Sequence, residues 1–528
     1  MSVGTALSRF SGFIRLTAAA WALGIAETRL ADSYNSANVT PNIIYELALG
    51  GILSSVFVPV FVEWLDKHGR EQAWELARRM LSITVVVLGA LAILGIIFAP
   101  AIINLYTLGI EDPQRRAATQ DLGTFFLRFF MPQIVFYGIG AVATGLLNSH
   151  RRFAAPMFAP ILNNVVSIAT LVAFGLVAGA SRSGASFGPT TPEKLILAIG
   201  TTLGVVAMTV ALWPSLRRTG FRFHWRGSWG DAGLRKVGSL AKWMVIYVAA
   251  NQIGYLIIIT LALREGQGGV TAYGYAFVLF QLPYAIFAVS IFTALLPALS
   301  SRWTASDTDG FRDMLSRGLR MTGFIVIPAA CGYIAIATPI VRLVLEYGVA
   351  GEGSSALVAD TLTYFSIGLF SFAGFQLMIR AFYSMQDTRT PALINIGALG
   401  VNVGVNLFAV LVLKMGVPGL ALGHAAGYTF AVVVAGIAMS RRLGGLDGRR
   451  LTGSLARITI GGSLTAMVAV LVSTGVDRAL PGESVASLAL QVTLSVVAGL
   501  VVFLGSAYLF RMEELGLMKS SLPVRFKK

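Results

Sequence analysis

The chain alternates between long apolar stretches and short polar breaks. A membrane-spanning helix needs about 20 mainly apolar residues, and about fourteen stretches of that kind follow one another. No polar break between them is long enough for a separate soluble domain, and none of the stretches alternates like a β-barrel strand. The pattern predicts an all-α polytopic membrane protein with spans near residues 8–30, 36–64, 79–106, 121–147, 154–180, 194–215, 238–263, 270–300, 320–347, 356–384, 391–413, 417–440, 455–475 and 486–510.

The chain also repeats itself. Pro59 and Pro100 are 41 residues apart, and Pro297 and Pro339, in matching places of later spans, are 42 apart. NSHRRFAAP after the fourth span matches YSMQDTRTP after the tenth in length and position. Two six-helix copies in the same orientation form a parallel repeat, which is typical of transporters with a substrate path between the halves. We predict lobes at 1–218 and 219–445, followed by two extra helices and a tail at 446–528.

Composition and charge narrow the class of protein. Of the 528 residues, 55% are apolar and only 12% are charged, whereas an ordinary soluble domain is about one quarter charged. This excludes a soluble enzyme and a disordered protein. The net charge of +16 would suggest nucleic acid, but 28 of the 41 basic residues lie in alternate loops and only 8 lie in the opposite loops. The positive-inside rule therefore predicts that both termini are cytoplasmic and that the protein has no nucleic-acid partner.

The first predicted helix carries two arginines inside the membrane, in the segment SRFSGFIR. Six residues place Arg9 and Arg15 about 120° apart on a regular helix, and Gly12 would permit a bend that turns both toward one cavity. A guanidinium matches phosphate oxygens, so one interpretation is a cationic site for a phosphate-bearing substrate. The alternative is that both side chains extend to the cytoplasmic headgroups.

A polar run follows the first span. Asp32 and residues 33–42 could form an external loop or an unwound helix start that lines a cavity. Asn42 belongs to this run, and Glu46 follows it as a candidate partner for a buried arginine or a cation, or for an interhelical hydrogen bond. Arg264 lies at an external helix end, where it could gate or cap.

Other polar groups within spans point to structure more than to chemistry. Asn163, Asn164 and His424 are uncharged and favour helix–helix contacts. Cys331 is the single cysteine, which excludes a disulfide framework and a Cys-based metal site. GGVTAYG at 268–274 lacks the strand–turn–helix context of a phosphate loop.

Four segments occur in order along the chain: SRFSGFIR, LADSYNSANVTPNIIYELALGGILSSVFVPVF, LLNSHRRFAAPMFAPILNNVVSIA and AFYSMQDTRTP. As a set they resemble the MurJ (MviN) lipid II flippases of the MOP exporter superfamily. The likeness spans Ser8 to about Arg441, and the two surplus helices also suit that family. It implies MOP-type lobes in the bacterial cytoplasmic membrane. The implied function is a flippase that moves the undecaprenyl-pyrophosphate-linked peptidoglycan precursor from the inner to the outer leaflet by alternating access.

The resemblance also implies roles for particular residues. The family's two essential first-helix arginines fall on Arg9 and Arg15, which would hold the pyrophosphate, and its first-repeat aspartate falls on Asp32. The chain departs from the family's pattern where charged residues are replaced, at Leu16, Tyr45, Glu46, Phe277 and Val278. These departures reduce the implied cationic cavity mainly to Arg9 and Arg15, with help from Arg264.

The implied partners are lipid II and membrane lipids, with the cell-wall synthesis machinery as a candidate. No cofactor is predicted, but transport against a gradient requires a coupling source, and the membrane potential and a monovalent ion both remain open. The alternatives are a flippase for another polyprenyl-linked saccharide, a cation-coupled MOP exporter, a scaffold that binds lipid II without moving it, and an intramembrane polyprenyl-phosphate enzyme. The enzyme would need clustered loop carboxylates, and the external loops offer only Glu111–Asp112.

Overall fold

The computed structural model describes residues 2–45, 58–150, 152–179, 188–225, 249, 251–480 and 484–521. In these residues every regular element is a helix. The first ten helices are α1 (Ser2–Leu23), α2 (Arg29–Tyr45), α3 (Val58–Ile97), α4 (Ala99–Tyr106), α5 (Pro113–Phe130), α6 (Gln133–Ser149), α7 (Ala154–Ala178), α8 (Thr191–Val210), α9 (Trp213–Arg217) and α10 (Asn251–Arg264).

The later helices continue the same pattern to the end of the described chain. They are α11 (Gly269–Pro283), α12 (Val289–Thr304), α13 (Thr308–Leu345), α14 (Glu352–Ile367), α15 (Leu369–Ser384), α16 (Arg389–Leu407), α17 (Val417–Leu443), α18 (Gly448–Ala479), α19 (Val485–Leu509) and α20 (Glu513–Ser521). Short π-helical turns at Tyr284–Ala288 and Phe408–Val412 extend α11 and α16.

The described residues confirm the all-helical membrane class. Ten helices are long and apolar enough to cross a membrane, and there are eleven if α14 and α15, which meet at a 50° bend, form one span. These account for most of the fourteen predicted spans. The predicted second span falls partly on residues 46–57, and the predicted seventh falls partly on residues 238–248, which lie outside the described residues.

Local chemistry explains where several helices begin and end. Helix α1 stops because Gly24 adopts a positive φ of 73°, a conformation that glycine adopts without a Cβ penalty. The hydroxyl of Thr28 then donates to the Leu23 carbonyl over 2.9 Å, which satisfies the end of the helix. Helix α8 begins with a capping box between Thr190 and Glu193, and α3 bends at Gly69, where φ is 80°.

The polar run after the first span is helical, so both expectations for it, an external loop and an unwound helix start, are wrong. Helix α2 covers the whole run and includes Pro41. The hydroxyls of Ser33, Ser36 and Thr40 donate to carbonyls four residues earlier. Because these side chains find acceptors on their own helix, polar composition alone does not break it.

Contacts divide the chain into two compact units. The first contains Met1–Thr271 and Leu345–Ser354, and the second contains Ala272–Val344 and Ser355–Lys528. The chain first passes from one unit to the other at 271/272, whereas the predicted lobe boundary is at 218/219. The lobes and the six-helix repeat stay predictions. The short segment Leu345–Ser354 belongs with the first unit although the chain on both sides of it belongs to the second.

Each unit has an interior rich in aromatic rings. In the first, Tyr34 meets the edges of Phe126 and Phe130 at centroid distances of 5.7 and 5.5 Å. In the second, His424 is surrounded by aromatic rings within 6 Å, from Phe277, Phe280, Phe365, Phe372 and Tyr428. Where the rings meet edge-on, these contacts add to the burial of apolar area.

Candidate functional site

The first unit buries the carboxylate of Asp32, which is only 4% exposed, against the start of α11. One oxygen, Oδ2, accepts from the Gly268 N–H at 2.7 Å. The other, Oδ1, accepts from the N–H and the hydroxyl of Thr271 at 3.0 and 2.8 Å. The first N–H groups of a helix have no partner within the helix, and its N-terminus favours negative charge. Asp32 therefore caps a helix whose preceding residue, Gly268, lies 236 residues away in the sequence.

Two neighbours of Asp32 make this arrangement possible. The Asn35 side-chain amide donates to the Thr271 hydroxyl at 3.0 Å, which orients that hydroxyl toward Asp32. Gly268 has φ of 84° and lies so close to Ala26 that a Cβ at this position would come within 2.5 Å of the Ala26 Cβ. The backbone of residue 268 reaches the carboxylate because it has no side chain.

A second carboxylate in the same unit has a similar role. Glu27, in the turn between α1 and α2, accepts hydrogen bonds from the N–H groups of Ile25 and Ala26 and from residues of the segment Leu345–Ser354. That segment contains the start of α14. Both carboxylates therefore bind the beginning of a helix, and neither forms an ion pair within the described residues.

Arg264 lies in a different environment from Asp32. Its guanidinium pairs with the exposed carboxylate of Glu111 at 3.3 Å. Nearby, Arg115 donates to the Leu263 carbonyl at 2.8 Å, so Glu111 and Arg115 both contact the end of α10. Arg264 thus joins the end of α10 to the turn before α5.

Arg9 and Arg15 lie on α1 with exposed side chains. Within the described residues neither has a hydrogen-bond acceptor or an ion-pair partner. The segment that carries Arg9 is anchored by Asn164 of α7, whose amide donates to the Ser8 carbonyl at 3.2 Å and to the Ser11 hydroxyl at 2.9 Å. The interpretation of Asn164 as a helix–helix contact agrees with this geometry.

The remaining predicted positions make fewer contacts with other helices, or lie outside the described residues. Asn42 donates at 3.2 Å to the Asn38 carbonyl of its own helix, and Glu46 lies outside the described residues. Of the departures from the family's pattern, Phe277 joins the aromatic cluster around His424, and Val278 is 41% exposed. The Nδ1 atom of His424 has no hydrogen-bond partner in the described structure.

Sequence reasoning missed most of the partners in these contacts. Gly268 and Thr271 belong to the GGVTAYG segment, which offers a cluster of unpaired backbone N–H groups to a carboxylate rather than to a phosphate. Glu27, Gly351 and Ser354 do not belong to any recognisable sequence motif. Two signals are present in the sequence. One is the turn between α1 and α2, which is rich in ionisable residues, and the other is the glycine that directly precedes α11 and α14, Gly268 and Gly351.

The described residues contain no group of three or more His, Cys, Asp or Glu side chains that could hold a metal ion. The described side chains of the candidate site are of three kinds: buried or partly buried carboxylates on helix starts, exposed guanidinium groups on α1, and arginines at the end of α10 and in α5.

The fold defines the class of protein first. The structure is similar to "Lipid II flippase MurJ, inward closed conformation", with a TM-score of 0.76 and 20% identity, over 97% of this chain and 98% of that one. It is also similar to "Inward-facing conformation of a multidrug resistance MATE family transporter of the MOP superfamily", with a TM-score of 0.66 and 14% identity, over 84% of this chain and 98% of that one. At these identities the likeness establishes the fold alone, a multi-pass helical membrane fold that both of these structures share.

The sequence defines the family. The profile described as "Lipid II flippase MurJ" matches residues 21–505, and the chain therefore belongs to the lipid II flippase MurJ family, whose members are transporters and not enzymes. It is 28% identical over 431 residues to "Probable lipid II flippase MurJ" of Rhizobium meliloti (strain 1021), covering 81% of this chain and 76% of the relative. It is 29% identical over 401 residues to "Lipid II flippase MurJ" of Burkholderia cenocepacia, covering 75% and 74%. The family and the many apolar helices make it a multi-pass inner-membrane protein.

Proposed function

We propose that this chain moves lipid II, the polyprenyl-pyrophosphate-linked peptidoglycan precursor, from the inner to the outer leaflet by alternating access. The observation that carries the proposal is the family match over residues 21–505. The match begins after Arg9 and Arg15, so their role rests on the geometry of α1.

Arg9 and Arg15 are proposed to hold the pyrophosphate. Both side chains are exposed and lack described partners, so their donors are available to a ligand. A guanidinium binds phosphate oxygens through two parallel hydrogen bonds. The six-residue spacing separates the two positions by about 9 Å along the helix, a separation that long arginine side chains can bridge. Asn164 supports this role because it anchors the part of α1 that carries Arg9.

The prenyl chain is proposed to stay outside the polar path, beside the C-terminal helix pair. Transfer of each CH₂ out of an apolar environment costs about 0.8 kcal/mol, so a polyprenyl tail must remain in lipid or in an apolar groove. The second unit offers such a groove, with a volume of about 430 Å³. Helices α13, α15, α17 and α18 and the turn before α18 line it with Leu319, Phe370, Met378, Val432, Val433, Gly436, Ile437, Ser440, Arg441, Leu446, Leu451 and Leu455.

Asp32 is proposed as part of the gate that alternating access requires. It binds Gly268 and Thr271, and Thr271 is the last residue before the chain passes into the second unit at Ala272. The distribution of basic residues supports cytoplasmic termini, which would place Asp32 toward the external face. The driving force is proposed to be the membrane potential or a monovalent ion, and a potential acts on each transferred charge with about 2.3 kcal/mol per 100 mV.

A depletion-rescue experiment with a leaflet-resolved assay for lipid II tests these statements. Cells that depend on this protein should transfer lipid II to the outer leaflet, and Arg15→Ala at equal expression should stop the transfer. Arg317→Ala is the matched control, since Arg317 is another exposed arginine and its ion-pair partner among the described residues is Asp313. If the wild type leaves lipid II inside, the function is wrong. If Arg15→Ala transfers normally, the arginine site is wrong.

Supplying a different polyprenyl-linked saccharide in the same assay tests the nearest alternative. Transfer of that saccharide without transfer of lipid II would assign the protein to another substrate within the same chemical class.

A further inference from the structure

Glu27 binds two parts of the first unit at once. Its Oε2 atom accepts from the N–H groups of Ile25 and Ala26 at 2.8 and 3.1 Å, which folds the carboxylate back on its own turn. Its Oε1 atom accepts from the Gly351 N–H at 2.7 Å and from the Ser354 hydroxyl. The Ser354 hydroxyl in turn accepts from the Ala26 N–H at 3.0 Å. One carboxylate thus joins the end of α1 to the start of α14.

The backbone is shaped for this contact. Gly24 and Gly348 both have positive φ, of 73° and 68°. A Cβ on Gly24 would come within 2.8 Å of both the Glu27 carboxylate and the Val349 side chain. A Cβ on Gly348 would come within 2.4 Å of the Trp21 ring. The two segments approach this closely only because both positions lack a side chain.

A backbone hydrogen bond also joins the two segments, since the Val349 N–H donates to the Trp21 carbonyl at 3.3 Å. We call the contacts of Glu27 with Gly351 and Ser354, together with this bond, the Glu27 clamp. All the partners of the carboxylate are neutral N–H or O–H groups. Glu27 is partly exposed, so water can replace these partners when the segments separate. A clamp of this kind breaks and re-forms at low energetic cost, unlike a buried ion pair.

The position of the clamp along the chain suggests what it controls. Ser354 is the last residue of the segment that belongs to the first unit, and the chain enters the second unit at Ser355. Thr271, which Asp32 binds, occupies the same kind of position before Ala272. Two carboxylates from one short stretch therefore bind the residues at two of the crossings between the units. Any motion of one unit relative to the other must be accommodated at these crossings.

We infer that Glu27 is a further positioning residue of the transport cycle, whose clamp on Gly351 and Ser354 is closed in one conformation and must open for substrate to pass. The inference rests on the proposed function, because it assigns a role within alternating access. Glu27 acts through the start of α14 and does not touch the substrate.

Cross-linking tests whether opening is required. In a Cys331→Ser background, which removes the single native cysteine, the pair Ala26→Cys and Ser354→Cys places two thiols across the clamp. Oxidation should reduce lipid II transfer at least about tenfold, and reduction of the same protein should restore it; a tenfold change is the effect of about 1.4 kcal/mol. Transfer at equal rates in the cross-linked and reduced forms would overturn the inference. Absence of transfer in the wild type would instead overturn the proposed function.

Chemical labelling tests whether Glu27 sets the equilibrium. Ala350 lies within the clamped segment and is 5% exposed, so Ala350→Cys reports opening to a membrane-impermeant maleimide in intact cells. Glu27→Gln should raise the labelling rate roughly fivefold, the factor expected for one lost hydrogen bond. The matched control is Glu352→Gln, because Glu352 is exposed and adjacent. Equal rates for Glu27→Gln and wild type would overturn the inference.

A second reporter separates gating from general loosening. Ala435 is fully buried on α17 in the second unit, and Ala435→Cys should label equally slowly with and without Glu27→Gln. Faster labelling at both reporters would mean that Glu27 only stabilises the fold, which also contradicts the inference.

Discussion

Asp32 in the first unit and Arg320 in the second are both buried charges, but their partners differ. Asp32 is 4% exposed and is bound by two backbone N–H groups and a hydroxyl. Arg320 is 2% exposed and lies 2.9 Å from each of the carboxylates of Glu513 and Glu514. Glu514 is itself 2% exposed and also accepts from the Ser454 hydroxyl. Asp32 is thus bound by neutral donors, whereas Arg320 is bound by opposite charges.

The difference indicates which contacts can change during transport. A buried ion pair leaves an uncompensated charge behind when it breaks, so it holds elements together permanently. Arg320, Glu513 and Glu514, which we call the Arg320 cluster, accordingly fix α20 to α13. When a carboxylate leaves a helix start, only one charge has to be hydrated, and water satisfies the neutral N–H groups that remain. Asp32 and Glu27 therefore suit contacts that open and close.

The largest expected effect comes from removing the cation of the buried pair. Arg320→Met should lower the free energy of unfolding by about 3–5 kcal/mol, because Glu514 stays buried without its partner. Thermal unfolding in detergent measures this. Arg317→Met, one turn earlier and exposed, should change stability by less than about 1 kcal/mol. Equal losses in the two variants would contradict the permanent role of the cluster.

A smaller loss of stability, with a larger loss of transport, is expected at Asp32. Asp32→Asn keeps the volume but replaces one acceptor oxygen with a donor that faces an N–H group, which should cost about 1–3 kcal/mol. Lipid II transfer should fall more than the folded fraction does. The control is Asp121→Asn, which alters an exposed carboxylate of α5. Destabilisation as large as that of Arg320→Met would remove the distinction between the two kinds of contact.

Asn164 tests a contact without formal charge. Asn164→Ala removes both hydrogen bonds to α1 and should cost about 0.6–1.7 kcal/mol, the range for side-chain hydrogen bonds between membrane helices. Ser11→Ala removes only one of the two, so its effect should be smaller. Transport should fall in the same order if the anchor positions Arg9. An unchanged transfer rate in Asn164→Ala would show that the anchor is not needed.

The smallest expected effect concerns pH at the exposed side of the Arg320 cluster. Hydrogen bonds from Arg450 and Arg320 hold the pKa of Glu513 below its ordinary value of 4.5. A depressed pKa means that the stabilisation is complete above pH 4.5 and is lost as the pH falls through the folded-state pKa. The difference in unfolding temperature between wild type and Glu513→Gln should therefore be constant near neutral pH and should shrink in acid. A difference that grows in acid would contradict this assignment.

Much of the fold could be predicted because the bilayer requires each spanning helix to be a continuous, mainly apolar stretch of sufficient length. The predicted spans 154–180 and 417–440 correspond to α7 and α17 within a few residues at most ends, since length and apolar composition suffice to define them. The polar run of α2 is neither a loop nor unwound, because serine and threonine hydroxyls can bond to their own helix, which composition does not show. The substrate-binding role of Asp32 stays a prediction, and the sequence does not show which helix starts Asp32 and Glu27 contact.

The sequence by itself determined that this chain crosses a membrane many times, that its basic residues concentrate in alternate loops, and that its motifs resemble one family of flippases. Each of these properties depends on neighbouring residues or on their order. Only the tertiary structure decided that Asp32 binds Gly268 and that Glu27 binds Gly351, pairs separated by 236 and 324 residues. A carboxylate can accept from any unpaired N–H group, so its partner is chosen by which helix start the packing brings within 3 Å.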